Sequence, residues 1–253
     1  MSKPNEGISI SFPGIVFAFF FEICLPLIIS IYSIKYYKGK IFYFLIGIAG
    51  FVSSVGIESI MLFIIAKFVD KTSVAFYCFA GISPGLFEET GKYIYLNYLN
   101  SKEKKKSISI SYGIGHGGIE CFMVGLNLLA NLLAKDQLIK QGILKDDITI
   151  YICLMSIIER VFAIVMQISL SIIVYKSINE KKFIFYLLAI ILHDGVDLIA
   201  LLKHKGFLTS IYTTEFIVGI FSFYLSFYAY NLYNNLSEEK IKEISKEDKK
   251  KIQ

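Results

Sequence analysis

TIYICLMSIIERVFAIVMQISLSIIVY, residues 149–175, is a run of 27 residues whose only charged members, Glu159 and Arg160, stand side by side near its middle. A helix rising about 1.5 Å per residue crosses the hydrocarbon core of a bilayer with roughly 20 apolar residues. The segment therefore reads as a membrane span with an ionic pair inside it. Six further runs share its character, near residues 8–34, 41–69, 74–99, 107–134, 182–202 and 208–232. The expectation is an all-α protein, a polytopic transmembrane helix bundle of about seven spans forming one domain over 1–232, with a charged tail at 233–253. The first run is expected to stay in place. It is nearly twice the length of a secretory apolar segment, about 7–15 residues, and no small-residue cleavage site follows it.

Composition agrees. The chain has 253 residues, 55% of them apolar and 15% aromatic, with a mean hydropathy of +0.59. Disordered and collagen-like chains do not have this content, and only 4 prolines exclude a proline-rich linker. Cys24, Cys78, Cys121 and Cys153 lie in four different apolar runs and form neither a CxxC metal pattern nor a paired framework. They read as small buried hydrophobes. The formal charge of +5 comes from lysines at the ends of apolar runs. A membrane surface accounts for that placement, and no nucleic-acid partner is expected.

Alternate connectors sort by charge. Sixteen lysines fall on one side (35, 38, 40; 102, 104, 105, 106; 176, 181, 182; six in the tail) and eight on the other. The positive-inside rule then puts the N-terminus outside and the C-terminus in the cytoplasm. Tyr36, Tyr37, Tyr98, Tyr175, Tyr230 and Tyr233 are expected as interfacial tyrosines at the inner ends. The tail, with Leu236, Ile241 and Ile244 at loose helical spacing, reads as a solvated segment near anionic headgroups, and the outer loop 135–148 shows no recognisable site.

The charges left inside the spans are the informative ones. They are Lys92, Arg160 (the only arginine), Glu22, Glu58, Glu88, Glu89, Glu120, Glu159, Asp194, Asp197 and Glu215, joined by His116 and His193. Each ionised group at the bilayer centre costs about 3 kcal/mol on insertion scales unless it faces a polar interior. Counted from the cytoplasmic helix ends, Glu88, His116, Glu120, Glu159 and His193 lie at depths of about 14–24 Å. Four helices thus bring polar groups to one mid-membrane layer.

Residues four apart share a helix face. His116 and Glu120, His193 and Asp197, and Glu88 and Lys92 are such pairs. Two imidazole–carboxylate pairs with a Glu-Glu pair can activate a water or hold a divalent cation. The central six acids (Glu88, Glu89, Glu120, Glu159, Asp194, Asp197) against Lys92 and Arg160 carry a formal excess of four negative charges. Protonated carboxyls, a cationic histidine or a metal ion would each relieve it. Glu159 and Arg160 read as support, with the arginine pairing to carboxylates of neighbouring helices. Glu22, Glu58 and Glu215 are isolated and are expected to have structural roles. Gly113, Gly115, Gly117 and Gly118 around His116 allow close helix packing or approach of backbone to a substrate.

EETGK at 88–92, GHGGIE at 115–120, ER at 159–160 and HDGVD at 193–197, in that order on four consecutive spans, resemble the YhfC family of intramembrane proteases. That family is similar to the type II CAAX prenyl endopeptidases and the PrsW family. The motifs cover the core at 74–202. The resemblance implies that Glu88 activates the attacking water with Glu89 beside it, and that Lys92 takes a basic position of the first motif. It also implies that Glu120 stands at the functional position of the second motif, with His116 in place of a phenylalanine, and that His193 and Asp197 stabilise the oxyanion.

The implied activity is endopeptidase cleavage in or near the membrane of a membrane-associated peptide or protein, in a multi-pass protein bathed in membrane lipids. Zinc on His116, Glu120 and His193 is the metal-assisted variant; the other uses glutamate alone. The same superfamily holds a non-proteolytic scaffold, and fold does not fix activity. A scaffold therefore stands as an alternative, as does a cation- or proton-coupled transporter, although the inverted repeats usual for the latter are not found. The lysine, isoleucine, tyrosine and asparagine bias fits an AT-rich genome and a bacterial plasma membrane.

Overall fold

The computed structural model describes residues 9–141, 147–204 and 206–236. Within them the chain is helical: α1 Phe12–Tyr37, α2 Ile41–Ile65, α3 Val74–Lys102, α4 Ser107–Leu133, the short α5 Lys135–Lys140, α6 Ile150–Glu180, α7 Ile184–His204 and α8 Ile211–Asn234. The only extended pairing among these residues is an isolated bridge between Ile10 and Ile148, which ties the entries of α1 and α6. The charged tail beyond Leu236 lies outside the described residues. Residues 135–140 of the connector after α4 form α5, which the sequence did not suggest.

Among the described residues six helices are long and apolar enough to cross a membrane: α1, α2, α4, α6, α7 and α8. The protein is thus a multi-pass membrane protein. The seventh long helix, α3, has 29 residues, but Glu88, Glu89 and Lys92 lower its hydropathy. It is packed against α2, α6 and α7, so its polar residues face protein.

Serine and threonine open four helices. Ser11, Ser73, Thr149 and Ser210 accept from the backbone N–H of Gly14, Phe76, Ile152 and Thr213, at 3.2–3.4 Å. The opposite end of the bundle is the lysine-rich one. There Tyr43 donates to Glu103 at 2.8 Å, Tyr175 donates to Asn100 at 2.8 Å, and Lys106 sits 4.9 Å over the ring of Tyr233. Of the tyrosines expected at that interface, Tyr175 and Tyr233 are instead core residues, 1% and 8% exposed. The packing of α6 on α8 overrides their places near helix ends.

α6 touches α1, α3, α4, α7 and α8, and α4 packs on α1, α2 and α6. Their shared core is built from Leu96, Leu99, Ile108, Tyr112, Leu170 and Ile173. Glycine sets the spacing of α4. A Cβ on Gly113 would meet Ile168 Cα of α6 at 2.6 Å, one on Gly118 would meet Pro26 of α1 at 2.8 Å, and one on Gly115 would collide with the Phe44 carbonyl of α2. The glycines around His116 therefore serve three close helix contacts. Outward faces carry Phe20, Ile28, Phe63, Ile191 and Phe227, all exposed, as lipid-facing surfaces do. Cys121 and Cys153 are buried, but Cys24 and Cys78 are exposed. The expectation of four buried thiols fails there because an apolar run in a membrane has two apolar surroundings, core and lipid.

Candidate active site

Four helices supply the polar cluster: α3 with Glu88, Glu89 and Lys92, α4 with His116 and Glu120, α6 with Glu159, Arg160 and Gln167, and α7 with His193, Asp194 and Asp197. Pro84 lies one turn before Glu88 and cannot donate to the carbonyl of Ala80. Ser83 Oγ lies 3.4 Å from that carbonyl, while its single proton is directed to Glu58 Oε1 at 2.6 Å. Gly85 follows, and a Cβ there would collide with the carboxylate of Asp194. This turn of α3 is shaped to admit α7, which sets His193 beside the Glu-Glu pair.

Glu88 and Glu89 sit in different networks. His116 Nε2 donates to Glu88 Oε2 at 2.9 Å, and Gln167 Nε2 donates to the same oxygen at 3.2 Å. Glu88 Oε1 has no hydrogen-bond partner among the described residues. Glu89 Oε1 accepts from His193 Nδ1 at 2.7 Å and from Lys92 Nζ. Lys92, fully buried, also donates to Gln167 Oε1 at 2.6 Å. With Nδ1 held by a carboxylate, the other nitrogen of His193 is fixed in direction. That Nε2 stands 3.9 Å from Glu88 Oε2 and 3.8 Å from Asp197 Oδ2. Both gaps exceed a hydrogen bond, so Nε2 lies near two carboxylates without being paired to either.

A second layer anchors Glu120. Its Oε1 accepts from Arg160 Nη1 at 2.8 Å and its Oε2 from Gln167 Nε2 at 2.9 Å, while Arg160 Nη2 donates to Glu159 Oε1 at 2.6 Å. Glu88, Glu120, His193 and Asp197 line a cavity of about 460 Å³ between α3, α4, α6, α7 and α8.

Not every expected residue reaches that space. His116 is fully buried, packed edge-on to Phe51 at 5.2 Å between ring centroids and tilted against Tyr112 at 5.9 Å. It is absent from the cavity wall. The trio His116, Glu120 and His193 does not gather as a ligand set: His116 Nε2 is engaged by Glu88, and both oxygens of Glu120 are taken by Arg160 and Gln167. Among the described residues no group of three His, Cys, Asp or Glu side chains is arranged to hold a metal ion. The donors present do not fit that shared metal.

Two residues with a part in the cavity escape a sequence reading. Gln167 joins Lys92, Glu88 and Glu120, and the signal that marks it is a single amide in the apolar run 161–168. Glu215 of α8, expected to be structural, lines the cavity. Glu22 and Glu58 do not line it; they are buried and accept from Ser156 at 3.0 Å and Ser83 at 2.6 Å.

Fold and site together define a multi-pass membrane protein with a cluster of carboxylates, histidines and one lysine enclosed by its helices. The chain belongs to the YhfC intramembrane metalloprotease family, whose profile matches residues 21–218. It is similar to the uncharacterized membrane protein YhfC of Bacillus subtilis (strain 168), with 26% identity over 155 residues, or 54% of this chain and 60% of that protein. The match thus spans less than two thirds of the curated relative's length. No solved structure matches the chain.

Proposed function

We propose that this protein is an intramembrane endopeptidase of a bacterial plasma membrane, in which Glu88 activates a water to attack a peptide carbonyl in or near the bilayer. The observation that carries the reading is the placement of His193 Nε2 between Glu88 Oε2 and Asp197 Oδ2, at 3.9 and 3.8 Å, on the wall of the cavity. The family's description supports the reaction class.

In this reading the unpartnered Glu88 Oε1 takes a proton from water while His116 and Gln167 hold Oε2 in place. The hydroxide adds to the carbonyl carbon, and the carbonyl oxygen becomes the oxyanion. His193, with Nδ1–H on Glu89, turns Nε2–H toward that oxygen, and Asp197 steadies the imidazolium. Glu88 then returns its proton to the leaving amide nitrogen as the C–N bond breaks. Lys92 keeps Glu89 in line, and Arg160 does the same for Glu120. The lysine-rich connectors lie in the cytoplasm, and the substrate is a membrane-associated polypeptide.

The test is a search for membrane-protein fragments in cells making wild type, Glu88→Gln or His193→Ala. Fragments present with wild type and lost from both variants are expected. Identical fragment sets from all three would refute the protease and leave a non-catalytic scaffold.

A further inference from the structure

The α8 side of the cavity carries a carboxylate that the proposed reaction does not use. Glu215 is 8% exposed, and its Oε2 has no partner among the described residues. The other glutamates of the wall are engaged: Glu88 by His116 and Gln167, Glu120 by Arg160 and Gln167, and Glu159 by Arg160. Lys203 also lines the cavity but is not within ion-pair distance of Glu215. On the same face of α8, Ser222 Oγ is buried, lines the cavity and has no partner either. Positions 215 and 222 are seven apart, about 10 Å along the helix, so the hydroxyl is a second polar point of the wall and not a partner at the same spot. A buried carboxylate without a hydrogen bond is costly in a membrane. An unpartnered carboxylate oxygen turned to a cavity marks a place that an outside group completes.

The charge of that group follows from the wall. Glu88, Glu120, Glu159, Asp197 and Glu215 face Arg160 and Lys203, and Arg160 is shared between two of the acids. Phe162, Met166 and Val218 add an apolar stretch along which the methylene stem of a long basic side chain packs while its head reaches a polar site. We propose that Glu215 forms a cation subsite that receives a lysine or arginine side chain of the substrate polypeptide. This rests on the protease reading for the word substrate; the subsite itself is a binding property that can be measured without cleavage.

The experiment is thermal unfolding of the purified protein in a neutral detergent with hexylammonium chloride as probe, against hexanol and against sodium chloride at equal ionic strength. Hexylammonium is expected to raise the melting temperature of wild type, and neither control to match it. Glu215→Gln is expected to weaken the response about tenfold or more, the loss of one charge-assisted hydrogen bond, while Glu215→Asp keeps it. An equal response in wild type and Glu215→Gln, or no excess of hexylammonium over hexanol, overturns the subsite; the second comparison needs no variant. Glu88→Gln, which disables the proposed hydrolysis, is expected to retain the response. A Glu215-dependent response without any Glu88-dependent fragments would leave the subsite standing and remove the protease.

Discussion

Gln167 Oε1 accepts a hydrogen bond from Lys92 Nζ at 2.6 Å, joining the middle of α6 to the charged turn of α3. The opposite end of the same amide donates to Glu88 and Glu120. One neutral side chain thus joins a buried ammonium to a buried carboxylate, Glu88, and a half-buried one, Glu120. Gln167→Leu removes the junction at nearly constant volume and is expected to lower stability by about 1–3 kcal/mol for the polar groups left unsatisfied. Gln167→Glu adds a third acid to two and is expected to melt lower still. Melting curves in detergent check the order, and a Gln167→Glu variant as stable as wild type would contradict the network.

Lys92 and Glu89 form an ion pair with neither side chain exposed. Losing one partner of a buried pair costs about 3–5 kcal/mol because the other charge is stranded. Lys92→Met is therefore expected to be severely destabilised, and Lys92→Met with Glu89→Gln to recover part of the loss. A double-mutant cycle measures this. Additivity within about 0.5 kcal/mol would show that the two are not coupled.

Glycines in the motifs are expected to differ sharply. A Cβ on Gly115 or Gly47 would run into backbone carbonyls, of Phe44 and Tyr112 respectively, whereas one on Gly195 meets nothing within 4 Å. Gly115→Ala and Gly47→Ala should each cost about 1–3 kcal/mol or more by overpacking. Gly195→Ala, in the middle of HDGVD, should be neutral or gain up to about 1 kcal/mol of helix propensity. The melting temperatures of the three variants decide it, and a destabilised Gly195→Ala would count against this account of the motif.

At the lysine-rich end, Glu103 accepts from Lys105 at 2.8 Å, from Lys40, and from Tyr43 at 2.8 Å. The Lys105 and Lys40 contacts hold its carboxyl far below the ordinary value of 4.5, at about 2. The folded value lies below the unfolded one, so the stabilisation is present above the unfolded value and is lost as pH falls toward about 2. Wild type is expected to lose melting temperature across that window, with Glu103→Gln showing a shallower fall. Parallel pH profiles would refute the assignment.

The helix order makes a topological prediction. If α3 crosses the membrane, reporters inserted at residues 70 and 104 report opposite sides, with 104 cytoplasmic beside the lysines. Paired fusions to alkaline phosphatase and a fluorescent protein read this directly. Both sites on one side would make α3 a helix held within the bundle without crossing.

Six of the seven expected spans were legible because length and hydropathy alone decide whether a helix suits a bilayer, and α3, with three charges in its middle, does not meet that measure. The Glu88–Glu89 and His193–Asp197 positions were legible because an ionisable group in lipid is a cost that sequence displays openly. What could not be read was partnership. His116 and Glu120 share a face four residues apart, yet one turns to Glu88 and the other to Arg160 and Gln167, since the helices around α4 determine which neighbour each meets. Gln167 is neutral and belongs to no motif, so nothing in its own stretch announces a junction of three charges. Glu215 stands alone in its run, and only the approach of α8 to α6 gives it a cavity to face.

The glycine spacing of α4 has a mechanical consequence. With α1, α2 and α6 seated against its backbone at Gly118, Gly115 and Gly113, this helix cannot slide or tilt without breaking several contacts at once. α7 and α8, which line the cavity with it, are seated by single glycines: a Cβ on Gly85 of α3 would collide with Asp194, and one on Gly219 of α8 would meet Phe162 of α6 at 2.8 Å. His116 and Glu120 thus ride on a helix seated on three sides, so their place in the membrane is set by backbone contacts made well away from their own side chains.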